Sequence, residues 1–500
     1  MDKDNFYKNT FILTLSNITT GIFSFIFSVT LSRSLGAEGM GLYNLVMPVY
    51  NLFICIMSAG MLAAISKISA IYNDSKDYGN LYKTIKTTIV FNLAWSILIT
   101  SMVFVSNDFI SFNILKDSRT SMALKIICPA MVFITLSNIL KGYFYGVSKV
   151  MIPAIIDIFE KGIRISVVLI ILSKIGTSSM TLSLTASYIS LCLGELISLI
   201  LLYIYYKIDK KNKLFYRKPS EGRAQLLFNV LIISIPLCIN GIITNILSTA
   251  SALIVPRRLV ASGIPYSTAL TLIGKFTGMA MVIVFFPMVI IGSINTILIP
   301  DLSKSVSKKD YASSENRIKD VLRLSFLLGI CTIMICTTIP NSLGIMLFKR
   351  NDLGTFIKFA SLSAPLFYTS ITSYGILNGI GKHNILLRNS VIISVIEIIL
   401  LFFLTSISYI NILGYGITLI ITSLLTVIVN IVEIKKYYEL KISFTNVFIY
   451  FLFSMFIYYF LNLSNNLIPD YLFVLKNCII IFLGFSLFIF SIYYTKKASR

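Results

Sequence analysis

Polar residues interrupt this chain only at intervals, and the stretches between them are apolar for about 20 residues at a time. That is the length a helix rising about 1.5 Å per residue needs to cross a hydrocarbon core about 30 Å thick. About fourteen such stretches can be marked, near 10–32, 42–66, 84–106, 120–142, 150–173, 181–206, 225–254, 274–300, 322–345, 355–380, 384–407, 412–432, 444–463 and 472–494. The pattern predicts an all-α polytopic membrane protein. The first stretch is predicted to be a span, not a cleaved leader, because it is long and a full set of spans follows it. Pro48, Pro129, Pro236, Pro287 and Pro365 fall inside spans and are expected to bend them.

The interrupting segments repeat. KDYGNLYKTIK at 76–86 and KDYASSENRIK at 309–319 lie 233 positions apart, and so do GYFYGVSK at 142–149 and GILNGIGK at 375–382. AAISK at 63–67 resembles PDLSK at 300–304, displaced by about one further helical turn. A constant offset through separate loops predicts two parallel repeats of six spans each. The expected division is an N-lobe at 1–206, a basic connection at 207–224, a C-lobe at 225–437, and two additional spans at 438–500. Parallel repeats of this kind are one plan of alternating-access transporters, in which a substrate site is expected between the lobes.

Composition supports the membrane reading. Hydrophobic residues make up 56% of the 500 and charged residues 13%, against about 25% charged in soluble chains. The net charge of +22 would otherwise suggest nucleic acid. Here Lys and Arg concentrate in alternate loops, about threefold in favour of the side that holds the N-terminus. Those loops predict a multi-pass protein of the cytoplasmic membrane with both termini cytoplasmic, membrane lipids as neighbours and no nucleic acid as partner. The run KIDKKNKLFYRKPSEGR at 207–223 is expected near anionic headgroups.

Little points to catalysis. The seven cysteines are scattered through apolar runs without a C-x-x-C pair, and His383 stands alone in a loop. No metal site and no cofactor are expected. Without a phosphate-binding loop of the G-x-x-x-x-G-K-[ST] type, ATP hydrolysis is not expected either. The chain does not read as an enzyme.

The exception to apolar spans is DIFEKGIR at 157–164. Asp157, Glu160, Lys161 and Arg164 recur at i, i+3, i+4 and i+7 and so share one helix face. Each charge at mid-membrane costs about 2.5–3.5 kcal/mol on insertion scales. The face is therefore expected to line a wet, substrate-facing cavity, with Asp157 paired to Lys161 and Glu160 to Arg164. Arg33, Lys67, Arg257, Arg258 and Lys275, near span ends, are further candidates for a basic cavity lining. Such a lining suits a pyrophosphate, because both cations make charge-assisted bonds to phosphate oxygens. Glu195 and Glu397 are the deeper carboxylates, candidates for a charge partner of Lys161 or Arg164 or for a coupling-ion site.

LSRSLGAEGMGLYNLVMPVY at 31–50 with LAAISKISA at 62–70, and VPRRLVASGIPYSTALTLIGKFTGMAMVIVFFP at 255–287 ending in LIPDLSKS, resemble the stage V sporulation protein B family. Residues that match its pattern include Arg33, Gly36, Gly39, Gly41, Tyr43, Pro48, Ser66 and Lys67. In the second half they are Pro256, Arg257, Arg258, Leu259, Gly274 and Gly278. The family belongs to the multidrug, oligosaccharidyl-lipid and polysaccharide exporter superfamily and is similar to lipid II flippases. The resemblance implies fourteen spans, two lobes, and a flippase for an undecaprenyl-pyrophosphate-linked saccharide, a lipid II-like precursor for spore cortex or cell wall. It also implies cell-wall synthesis proteins as partners. The stretch SNITTGIFSFIFSVT at 16–30 carries no charge where lipid II flippases tend to carry Arg. A flippase for another lipid-linked polysaccharide unit, or a cation-coupled multidrug exporter of the same superfamily, therefore stands beside the lipid II reading.

Overall fold

The computed structural model describes residues 3–58, 60–175, 180–211, 219–307, 310–440 and 444–498; 212–218 of the basic connection lie outside the described residues. The chain forms two compact units, Met1–Leu253 and Ile254–Arg500.

In the first unit α1 (Lys3–Ser58) is two helical limbs joined at Gly36, whose φ is 67°. With ψ at −174° this backbone is open essentially to glycine and would cost a Cβ-bearing residue about 1–3 kcal/mol, which explains a glycine at this joint. There follow α2 (Met61–Asp74), α3 (Tyr78–Val105), the short α4 (Asn107–Phe109) continued by a π-helical turn, α5 (Thr120–Gly146), α6 (Met151–Ile175), α7 (Met180–Lys211) and the start of α8 (Arg223–Ala261). Helix α5 is central and packs against α1, α2, α3 and α7. Its approach to α2 is set by two glycines. A Cβ on Gly142 would lie 2.8 Å from the Leu62 carbonyl oxygen, and one on Gly146 2.5 Å from that of Ser66. Small residues four apart let two backbones touch where neither water nor a hydrophobic drive helps.

The second unit takes the end of α8, then α9 (Tyr266–Ile273), a π-helical segment Gly274–Ala280, α10 (Met281–Phe285), α11 (Met288–Ser307), α12 (Tyr311–Thr338), α13 (Pro340–Phe348), α14 (Gly354–Ser361) and α15 (Ala364–Gly379). Helices α16 (His383–Leu404) and α17 (Leu413–Lys435) complete its six-span part, and α18 (Phe444–Leu467) and α19 (Phe473–Ala498) pack on α12.

The 233-residue offset extends to geometry. Helix α12 starts and ends 233 positions after α3, and α13 occupies the counterpart of 107–115. Left-handed residues recur as Lys116 and Lys349, and as Ser148 and Gly381. Gly375 faces Asn295, and Gly379 faces Ile299 and Leu302, each 233 positions after the matching contact in the first unit. The extra turn in the AAISK–PDLSK likeness is therefore a slip along one helix face, not the structural register.

Four predicted spans are not single helices. Those at 322–345 and 355–380 are broken at Ile339, between α12 and α13, and at Leu362–Ser363, between α14 and α15. The span at 42–66 is broken at Gly60, which has φ 76° and lies against α8: a Cβ there would be 2.6 Å from the Ser234 carbonyl oxygen. The span at 274–300 begins in the π-helical segment and is interrupted between α10 and α11 at Phe286–Pro287. Among the described residues eleven helical stretches are long and apolar enough to cross a membrane. Helix α6, with four charges in eight residues, fails such a test on composition, and α15, with 16 residues, on length. Both nonetheless pack as full members of their units.

Candidate functional site

A left-handed residue at Ser148 reverses the chain between α5 and α6, and the Lys149 amide donates to the Phe144 carbonyl across the turn. The two helices are therefore antiparallel neighbours. Lys141, five residues before the end of α5, and Asp157, six after the start of α6, sit at similar depth, roughly 8–9 Å from those helix ends. Helix α6 also packs on α1 and α7, and Glu195 lies halfway along α7.

Six ionisable side chains meet there. Lys141 Nζ is 2.6 Å from Asp157 Oδ1, and Lys161 Nζ is 2.8 Å from Glu160 Oε2. Arg164 lies between two carboxylates, its Nε 3.4 Å from Glu160 Oε1 and its Nη2 3.8 Å from Glu195 Oε1. Its guanidinium also stands 5.4 Å from the centroid of the Phe27 ring on α1. Gly194 makes room for Glu160, because a Cβ there would come within 2.9 Å of its Oε1. Glu160 and Glu195 are buried, and Tyr43 and Tyr50 lie within electrostatic reach of Arg164. Tyr43 stacks on Tyr188 with ring centroids 5.6 Å apart.

The sequence pairing is corrected in one respect. Asp157 pairs with Lys141 of α5, not with Lys161, and Lys161 turns to its neighbour Glu160. Burying the side of α6 that faces α5 puts Lys141 closer to Asp157 than a side chain one turn away. The cluster is balanced, three cations against three carboxylates, where a basic lining was expected. Lys141 is the member that sequence reading missed. A lone Lys in the last turns of an apolar helix reads as snorkelling, and only the antiparallel α5–α6 pairing shows its partner.

The other candidates do not join this cluster. Arg33 and Lys67 are exposed. Arg257 is exposed, and Arg258 donates from Nε to the Phe402 carbonyl at 3.0 Å and lies over that residue's ring. Lys275, in the π-helical segment, pairs with Asp352 at 2.8 Å, and Arg350 holds the same carboxylate at 2.6 Å. Arg350 foremost, with Lys275, keeps the Asp352 carboxyl well below the usual carboxylate range. Glu397 is half-buried in α16.

The repeat supplies an internal comparison. Advanced by 233, the positions of Lys141, Asp157, Glu160, Lys161, Arg164 and Glu195 hold Tyr374, Ser390, Ile393, Ser394, Glu397 and Ile428. Four of these, Tyr374, Ser390, Ile393 and Ser394, line a cavity of about 170 Å³ in the second unit. Uncharged side chains, two of them serines, border a space where the first unit holds ion pairs, so the six-charge cluster belongs to one repeat alone.

The chain is 24% identical over 446 residues to stage V sporulation protein B of Bacillus subtilis (strain 168), covering 89% of this chain and 86% of that one. It is 20% identical over 415 residues to the lipid II flippase MurJ of the same organism, covering 79% and 76%. Among solved structures it resembles a lipid II flippase MurJ in an inward closed conformation, with TM-score 0.71 and 14% identity over 99% of this chain and 100% of that one. A multidrug resistance MATE family transporter of the MOP superfamily, inward-facing, matches at TM-score 0.66 and 13% identity over 83% and 93%. At such identities the structural likeness speaks for the fold alone, a multi-pass assembly of membrane helices. Residues 6–306, from the first limb of α1 to the end of α11, match the family described as polysaccharide biosynthesis protein, and the chain belongs to that family.

Proposed function

We propose that this protein is a flippase that moves an undecaprenyl-pyrophosphate-linked saccharide, lipid II-like in chemistry, across the cytoplasmic membrane by alternating access. Its role is transport, not catalysis, and both termini are placed in the cytoplasm. One observation carries the reading: six paired charges stand beside one another on three membrane helices of the first unit, where the second repeat has none but Glu397. A structural lock would not need six, because apolar packing of the same volume is often as stable as a buried ion pair. A pyrophosphate can enter such a network by exchange. Lys161 and Arg164 give up Glu160 and bind phosphate oxygens, while the released carboxylates accept hydrogen bonds from sugar hydroxyls. Asp157 and Glu195 serve the same end. Arg33, Lys67, Arg257, Arg258 and Lys275 are left to the interfaces and to local pairing, and the segment 207–224 to linking the two repeats. The relatives' names, a lipid II flippase and a sporulation protein, favour a cell-wall precursor as cargo.

The test replaces Lys161 and Arg164 by Gln, confirms unchanged membrane levels, and measures lipid-linked precursor accessible on the outer face. Loss of translocation is expected, and full translocation removes the cluster from the mechanism. A second reading, a cation-coupled exporter, has one observation in its favour. Glu195 is buried with Arg164 no nearer than 3.8 Å, the most loosely held carboxylate of the cluster and so the one a coupling ion could take. Under it, a deletion strain would gain drug sensitivity with normal wall precursors.

A further inference from the structure

Away from the ionic cluster, α3 begins beside the end of α7 and the start of α8. Here the first unit holds a cavity of about 670 Å³, within the range of small-ligand sites. Four cations line it, Lys83 and Lys86 from α3, Lys210 from α7 and Arg223 from α8, and among the described residues no carboxylate does. The nearby acids are turned elsewhere. Glu221 accepts from the Tyr72 hydroxyl at 2.9 Å and from Asn229 at 3.2 Å, Asp77 caps α3 through Asn80, and Asp209 is held by Tyr143 and Lys149. Among the described residues none of the four cations is in a salt bridge. Two are positioned: Lys83 donates to the Glu221 carbonyl at 2.5 Å, and Lys210 lies over the Tyr82 ring. Lys86 and Arg223 are exposed.

The stripe on α3 continues in one direction. Lys83, Lys86, Val90, Leu93 and Ile97 follow one another at steps of three and four, so they share a face. Val90 is 60% exposed and Ile97 50%. Cations at the helix start thus lead into an exposed apolar track about 10 Å long, on which the headgroup-proximal part of an acyl chain can lie. The second repeat lacks this arrangement. Tyr82, Lys83 and Thr87 correspond to Glu315, Asn316 and Asp320, and Lys319, the counterpart of Lys86, is neutralised by Glu315.

We propose that this cavity binds the phosphodiester headgroup of an anionic phospholipid, with one acyl chain lying along Val90, Leu93 and Ile97. The site is separate from the cargo cluster and does not depend on the flippase reading. The test uses the full chain in nanodiscs of phosphatidylcholine with phosphatidylglycerol, with retained lipids counted by native mass spectrometry. Wild type is expected to keep one phosphatidylglycerol preferentially. Lys86→Gln with Arg223→Gln should weaken that retention about thirtyfold, as two cations at a membrane surface would, and Lys319→Gln should leave it intact. Equal retention by the double variant overturns the proposal, as does phosphatidylcholine held as tightly as phosphatidylglycerol. Binding of inorganic pyrophosphate at these residues without phosphatidylglycerol retention also overturns it, since the site would then serve a soluble anion. Melting of the double variant in pure phosphatidylcholine should match wild type, which separates lost binding from lost folding.

Discussion

Replacing Glu160 by Gln should damage the first unit more than any other single neutralisation in the cluster. Its carboxylate faces Lys161 at 2.8 Å and Arg164 at 3.4 Å. At an effective dielectric of about 20, contacts of this length represent about 4–6 kcal/mol each before desolvation is charged against them. What the variant loses is set by the charge it strands. The Lys161 side chain is 26% exposed and can turn to water, but that of Arg164 is 13% exposed and keeps only Glu195 at 3.8 Å. Leaving a buried charge short of its partner costs about 3–5 kcal/mol, and the second carboxylate puts the expectation at the lower end, about 3 kcal/mol. For a unit of this size that corresponds to a Tm lower by roughly 6–12 °C. Glu195→Gln, which removes the longer of the two contacts, should cost less than half as much. Adding Lys161→Gln to Glu160→Gln restores neutrality and should recover part of the loss. Thermal unfolding in nanodiscs, followed by intrinsic fluorescence, measures all three. A Glu160→Gln variant as stable as wild type, or a double variant no better than the single, would refute the claim that these charges hold one another in place.

Gly146→Ala should destabilise by about 1–3 kcal/mol, the range for overpacking, because its Cβ would press on backbone and on Ser69. Gly375→Ala meets only the end of the Asn295 side chain and should cost less; the same melting assay ranks the two. Gly36→Ala meets nothing within 4 Å, so its expected cost of about 1–3 kcal/mol is backbone strain alone, φ 67° with ψ −174° being open essentially to glycine; a larger loss would mean hidden packing at the joint. Asp352 has its folded pKa depressed, so its contribution is present above the unfolded value of about 3.9 and is lost as pH falls through the lowered folded value. Half-exposed, the pair is worth about 1 kcal/mol or less. The Tm gap between wild type and Asp352→Asn should be present at neutral pH and close in strong acid, and a gap independent of pH would refute the assignment.

The sequence alone determined the solvent this protein folds in, because span length and charge content are set by the thickness and polarity of a bilayer whatever the helices do next. It also determined the repeat. GYFYG and GILNG each demand a glycine where two backbones touch, and that requirement is written in residue identity. The face DIFEKGIR was legible for the same reason: helical periodicity places four charges on one side without any knowledge of neighbours. Tertiary structure decided the rest. Lys141 became a partner of Asp157 only once α5 and α6 turned back on each other at Ser148. A short apolar run has no periodicity to reveal a break, so the interruptions at Gly60 and Phe286–Pro287 were hidden. Whether a cation is free or neutralised depends on which helix lies across from it. That is why Lys275 and Lys86, alike as lysines near a span end, came to face an aspartate in one unit and an unneutralised cavity in the other.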